Sequence, residues 1–248
     1  MQPSPERKPA RGYFPTTAWT FIESAKDPAD ANYRQALGHF AESYWKPVFF
    51  FLRARGYPVE KAEDLTQDFF CRFHEKNWMS PASKERGRFR NFLLRVLVRF
   101  LSDQSQDRAP RQKAFEDKQL AISQWLTEED RAFEPGTSDT PETVFMRRWA
   151  ASVLRTVNDQ LREQCEREGR AQWYAIFCER FDSESDKKSL SLEALAEKYS
   201  LSRDQVRYAI ENVTNWFQKA LRRELRDQVG SESEIDAEIR ELMTLLAG

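Results

Sequence analysis

The chain has 248 residues, too many for one small helical bundle and about right for two modest domains with a connection. Charged residues make up 32% of it yet sum to −1, so the protein as a whole is not a basic coat for nucleic acid, and any DNA contact must come from local segregation of charge. Only eight glycines, against an abundance of Glu, Lys, Arg, Gln, Ala and Leu, disfavour a turn-rich sheet fold and favour helices.

Cys71, Cys165 and Cys178 form no CxxC pair, and their odd number suits a reducing compartment better than a disulfide scaffold. With His39 and His74 the only histidines, a Cys/His zinc site is not expected, and neither is any other metal or cofactor. Apolar runs fall short of the ~20 residues that cross a bilayer. The opening stretch carries Pro3, Pro5 and Pro9 without a hydrophobic segment, so it does not read as a signal peptide, and the expected location is the cytoplasm. Gly-rich phosphate loops, nucleophile elbows and paired-His motifs are lacking, so no catalytic residues and no enzyme are expected.

By pattern the chain divides into an N-terminal extension (1–30), a helical domain (31–108), a linker (109–140), a second helical domain (141–229) and a last amphipathic helix (230–248). In the extension, Phe14, Trp19 and Phe21 follow a Pro-rich tail. From Ala36 to Arg55, the residues Leu37, Phe40, Tyr44, Val48, Phe51 and Leu52 recur with helical spacing. Pro47 predicts a kink or break there, Gly56 a helix end, and Pro58 the opening of the next helix. In that next helix Ala62, Leu65, Phe69 and Phe73 form the inward stripe, with Glu60, Glu63, Asp64, Gln67 and Asp68 off it. Such a face is either solvated or a docking surface whose charges steer a basic partner.

The segment Arg86 to Asp103 is the most informative. Phe89, Phe92, Leu93, Val96, Leu97, Phe100 and Leu101 make a near-ideal core stripe, while Arg88, Arg95 and Arg99 align on another side. Between Lys84 and Lys113 nine basic residues face three acids, a local excess of +6 suited to neutralising phosphates. The linker turns acidic around Glu128, Glu129 and Asp130, which suggests that it lies over this basic helix; a short helix near Leu120 to Leu126 is also expected.

In the second domain Phe145, Trp149, Val153, Leu154, Val157 and Leu161 form one stripe, and Trp173, Ile176, Phe177 and Phe181 another. Ser191 is placed to cap a short helix, a tight turn follows at Tyr199, Ser200 and Leu201, and Ser202 with Gln205 is a capping-box pair that starts a second helix. Val206, Ile210, Val213, Phe217 and Leu221 supply its inner face. A helix, a short turn and a capped helix are the signature of a helix-turn-helix, which sets the first turn of its second helix in the major groove. Arg203, Gln205, Arg207 and Tyr208 occupy that turn, and Lys219, Arg222, Arg223 and Arg226 continue toward phosphates. Arg pairs with guanine and Gln with adenine in bidentate fashion.

The string Ala62-Glu-Asp-Leu-Thr-Gln-Asp-Phe-Phe, followed by Phe89-Arg-Asn-Phe-Leu and Asp103, resembles region 2 of the extracytoplasmic-function class of bacterial RNA polymerase sigma factors. Phe14-Pro-Thr-Thr-Ala-Trp, Tyr44-Trp-Lys-Pro and Glu85-Arg-Gly-Arg-Phe-Arg are similar to one subgroup of that class, and the likeness runs from about Phe14 to Leu246. The resemblance implies an all-α chain with a region 2-like bundle and a region 4-like helix-turn-helix joined by a flexible linker. It implies that Asp64, Gln67 and Asp68 bind core RNA polymerase at the clamp helices of its β′ subunit, with the β flap as a further contact. It assigns the minus-ten DNA to Arg90, Asn91, Arg95, Arg99, Asp103, Gln104 and Arg108, and the minus-thirty-five DNA to Arg203, Gln205, Arg207, Tyr208, Arg222 and Arg223. The protein would then be a monomer when free, take promoter DNA and core polymerase as partners, and be open to an anti-sigma regulator.

Two departures stand out. Ser200 replaces the family's turn glycine, and Asp204 and Glu211 cancel Arg203 and Arg207, so weak DNA affinity is expected of this domain alone. That suits a subunit held on DNA by polymerase, where effective concentration compensates. The rival readings are a stand-alone helix-turn-helix regulator, dimerising through Ile235, Ile239, Leu242 and Leu245 or Leu246, and a helical module that has lost promoter binding.

Overall fold

The computed structural model describes residues 19–104, 127–134, 136, 139–181, 190–226, 229 and 232–247. The described residues are helical, with no strand among them. The helices are α1 (Trp19–Ser24), α2 (Tyr33–Ala54), α3 (Val59–Glu75), α4 (Phe89–Gln104), α5 (Glu128–Arg131), α6 (Pro141–Arg167), α7 (Ala171–Phe181), α8 (Leu192–Tyr199), α9 (Arg203–Arg226) and α10 (Glu232–Ala247). The expected helix near Leu120 to Leu126 lies outside the described residues.

Helix α2 runs through Pro47 without a break, which corrects the break allowed for there. Proline removes one backbone donor and crowds the preceding turn, at a cost of ~3 kcal/mol or more. Here the surrounding core offsets that cost. Tyr44, Trp45, Val48, Phe49, Phe50, Phe51 and Leu52 are all buried, so this stretch is apolar around its whole circumference, as in a central helix. Gly56, at φ +87°, ends it, and the Tyr57 amide donates back to the Leu52 carbonyl.

Helices α3 and α4 cover one side of α2 with the expected stripes. Ala62, Leu65, Phe69 and Phe73 are buried, as are Phe89, Leu93, Leu97, Phe100 and Leu101, while Phe92 and Val96 pack half-buried at the margin. Phe40, Phe70, Phe73 and Phe89 meet largely edge to face, the arrangement that ring quadrupoles favour.

The other side of α2 is covered by α6, whose Phe145, Trp149, Val153 and Val157 are fully buried. The core is therefore continuous across the division drawn at 109–140: a single cluster joins residues of α1 to α4 with α6, with Leu221 and Leu225 of α9 and with Leu242 of α10. Segment 127–134 is built into this assembly. Thr127 and Asp130 form a capping box for α5, and Lys46 donates to both Asp130 oxygens at 3.0 and 2.7 Å. Phe133 lies edge-on to Phe50 at 4.7 Å, and Arg53 donates to the Phe133 carbonyl at 3.0 Å. This part of the acidic linker thus lies on α2 and α3 rather than on the basic helix, which corrects that expectation: its charges found Lys46 and Arg53 first.

Beyond α6, two small clusters hold α7 to α9: Leu161, Cys165 and Val213 in one, Ile176, Leu195 and Val206 in the other. The predicted caps are present. The Ala194 amide donates to Ser191 Oγ at 3.2 Å, the Gln205 amide donates to Ser202 Oγ at 3.2 Å, and the Ser202 amide donates to Gln205 Oε1 at 2.7 Å. Ser200 sits at φ 53° and ψ 43°, the left-handed conformation that a glycine would take there without strain.

Candidate nucleic-acid interface

On α4 the core stripe leaves one face outward. Asn91, Arg95, Arg99 and Asp103 lie on it at steps of four, and all are exposed. This places four of the residues expected at the minus-ten DNA on one continuous strip. Gln104 ends the helix, and Arg108 lies outside the described residues.

Arg90 departs from its expected role. It is 1% exposed, and its guanidinium carbon lies 4.0 Å from the centre of the Trp149 ring. It donates to Glu238 through Nη1 and to Glu241 through Nη2, the latter at 3.0 Å. Arg88, the third residue of the expected basic line, reaches the same two acids, with Nη2 2.7 Å from Glu238. In this arrangement Arg90 cannot reach a phosphate, and Arg88 is engaged. Burial acts to raise the Glu241 pKa, but the hydrogen bonds and charges of Arg88 and Arg90 outweigh it and hold the carboxyl below its ordinary range.

The acidic face of α3 is partly engaged as well. Asp64 is exposed, Gln67 and Asp68 are half-buried, and Arg72 Nε donates to Asp68 at 3.1 Å. Glu63 at the edge of this face pairs with Arg131 of α5.

At the first turn of α9, Arg203 pairs with Glu193 at 3.0 Å and Arg207 with Asp204 at 3.4 Å, all four side chains being largely exposed. Exposed pairs of this kind are worth about 0–1 kcal/mol, so a phosphate or base edge competes with them readily. Gln205 contributes its side-chain oxygen to the capping box, which ties to the backbone a group expected to read adenine. Tyr208 is 57% exposed and braced edge-on by Trp173, which stacks in turn on Trp216 with Arg170 over its face at 4.3 Å. Farther along α9, Arg223 donates to Gln160 of α6 at 3.0 Å, and Arg222 pairs with Asp236 of α10.

Trp149, Glu238 and Glu241 are partners of the basic helix that its own pattern does not announce. The signal was there: Glu238 lies three residues after Ile235 and four before Leu242, an acid on a core stripe, and a buried acid requires a cation. Among the described residues no group of three His, Cys, Asp or Glu is placed to hold a metal ion, and no helix is long and apolar enough to cross a membrane. Comparison of the chain with protein-family models, curated proteins and solved structures finds no match.

Proposed function

We propose that the protein is a sigma factor, a specificity subunit that binds core RNA polymerase, recognises promoters and holds the melted minus-ten strand. The observation that carries this reading is the outward strip of Asn91, Arg95, Arg99 and Asp103 on a helix whose other side is fully committed to the core. Two arginines grip phosphates from such a strip, while the amide and the carboxylate meet the edges of unpaired bases. The capped α8–α9 pair supports it, with Arg203, Arg207 and Tyr208 exposed at the turn that a helix-turn-helix offers to the major groove. The exposed carboxylate of Asp64 on α3 supplies the docking charge for a basic polymerase helix.

Cytoplasmic residence and a monomeric free state belong to the same proposal. The rival regulator needs a dimer surface, and most of the stripe suggested for it is spent within the chain: Ile235 and Leu242 are fully buried, Ile239 and Leu245 pack on the common core, and Leu246 alone of the stripe is exposed. The test is charge reversal on the strip. Arg95→Glu/Arg99→Glu should abolish promoter opening while leaving binding to core polymerase intact. Undiminished opening would overturn the assignment of the strip, and a parent chain that binds no promoter at all would favour the module that has lost promoter binding.

A further inference from the structure

Helix α10 presents three carboxylates to three arginines, two of which, Arg90 and Arg222, carry an expected DNA role. Asp236 takes Arg222 of α9, whereas Glu238 and Glu241 together take Arg88 and Arg90 at the start of α4. One helix thus engages both halves of the expected DNA-binding surface. Its apolar side is docked at the same time, with Ile235 and Leu242 fully buried.

The central pair is an unusual structural fastening. Arg90 and Glu238 are 1% and 0% exposed, and desolvating two charges so completely cancels most of what their attraction gains. The cluster is also incompletely satisfied: Arg90 Nε and Trp149 Nε1 are buried and find no hydrogen-bond partner among the described residues. A leucine and a methionine would hold α10 nearly as firmly. What the charged arrangement provides, and an apolar one does not, is a guanidinium fork already aimed at two anionic groups with an aromatic ring behind it. That is how arginine receives phosphate.

We infer that Arg88, Arg90 and Trp149 form an anion site shared by two occupants, the carboxylates of α10 within the free chain and the phosphates of promoter DNA once α10 has left. The inference rests on the reading of α4 as a DNA-binding helix. Helix α10 is then an internal competitor for this anion site, which weakens the free protein's hold on nucleic acid while Arg95 and Arg99 stay exposed. Its three acids also fasten α9 to α4 through Arg222, Arg88 and Arg90, so its release frees these three arginines together.

The test uses the full chain and a fluorescent single-stranded 20-mer at about 0.1 M salt, read by anisotropy. Neutralising the competitor with Glu238→Gln/Glu241→Gln leaves Arg90 buried without a counter-charge, which drives α10 off its seat. The expected result is at least tenfold tighter oligonucleotide binding, a steeper salt dependence as two more phosphates are engaged, and faster amide exchange over residues 235–245. Should the double variant melt well below the parent, Glu241→Gln alone serves, since that carboxylate is 42% exposed; a severalfold gain is expected. Folded variants that bind within twofold of the parent, with exchange in α10 as slow as in α6, would overturn the inference. Core polymerase separates the two readings. Tighter oligonucleotide binding without polymerase binding sinks the sigma proposal and keeps the competitor, whereas polymerase binding with unchanged oligonucleotide affinity does the reverse.

Discussion

Arg90 lies over the Trp149 ring, its guanidinium carbon 4.0 Å from the ring centre, and the two residues come from opposite sides of the linker, one at the start of α4 and the other in the first half of α6. Their stacking, closed by Glu238 from α10, joins three separate stretches of chain at one buried charge. Truncating one partner of such a cluster is costly because the other is left charged and dry. Arg90→Met should lower the unfolding free energy by about 3–5 kcal/mol, and Arg90→Met/Glu238→Leu should recover most of that loss. Urea unfolding of the two variants and the parent measures both.

The same logic sets an acid limit. Asp130 and Glu241 are both held below the ordinary carboxylate range: burial acts to raise each, but Lys46 and Thr127 outweigh it at Asp130, and Arg88 and Arg90 at Glu241. The unfolded chain therefore takes up these protons at higher pH than the folded one. The stability they contribute is complete above the unfolded value near ~4 and is lost as pH falls through the folded values. Urea midpoints should be insensitive to these two groups from pH 7 to about 5 and fall below about 4, with a shallower acid slope in Asp130→Asn/Glu241→Gln.

Ser200 gives a prediction of the opposite sign. At φ 53° a residue with a side chain bears a penalty of about 1–2 kcal/mol, partly offset in glycine by its extra freedom when unfolded. Ser200→Gly should stabilise the protein by about 0.5–1 kcal/mol and raise its melting temperature by a few degrees, without changing the caps on either side.

Continuity of the core is testable through Phe145, which is fully buried in α6 and edge-on to Phe51 of α2 at 6.4 Å. Phe145→Ala should cost about 3–5 kcal/mol. In the parent chain, far-ultraviolet dichroism and tryptophan fluorescence should report one shared transition, whereas two separately cored halves would unfold in two steps.

Most helices and caps were legible in the sequence because their causes are local. The Ser202–Gln205 box acts over three residues, and the stripes of α3, α4 and α6 needed only a 3.6-residue period to be read. What escaped was set by partners far along the chain. Phe50 lies off the stripe of α2 and is buried because Phe133 and Arg148 of α6 cover its ring. Asp130 sat in an acidic run that reads as a solvated linker, yet its partner Lys46 is 84 residues away. Arg90 reads as an outward phosphate ligand by its charge, although its position three and seven residues before Leu93 and Leu97 lies on the core side, and its acid is 148 residues distant. Local patterns say which face of a helix is apolar. They do not say which charges the other helices bring to its edge.

The most direct measurement for the sigma reading is gel filtration of the purified protein with core RNA polymerase, comparing the parent with Asp64→Arg/Gln67→Ala. Asp64 is exposed and Gln67 half-buried on α3, so the change alters the docking face while sparing the buried stripe beneath it. A sigma factor co-elutes with the core enzyme, and the variant, equally well folded by dichroism, elutes alone. A parent chain that elutes apart from a core enzyme shown to be active with another sigma factor would contradict the proposal.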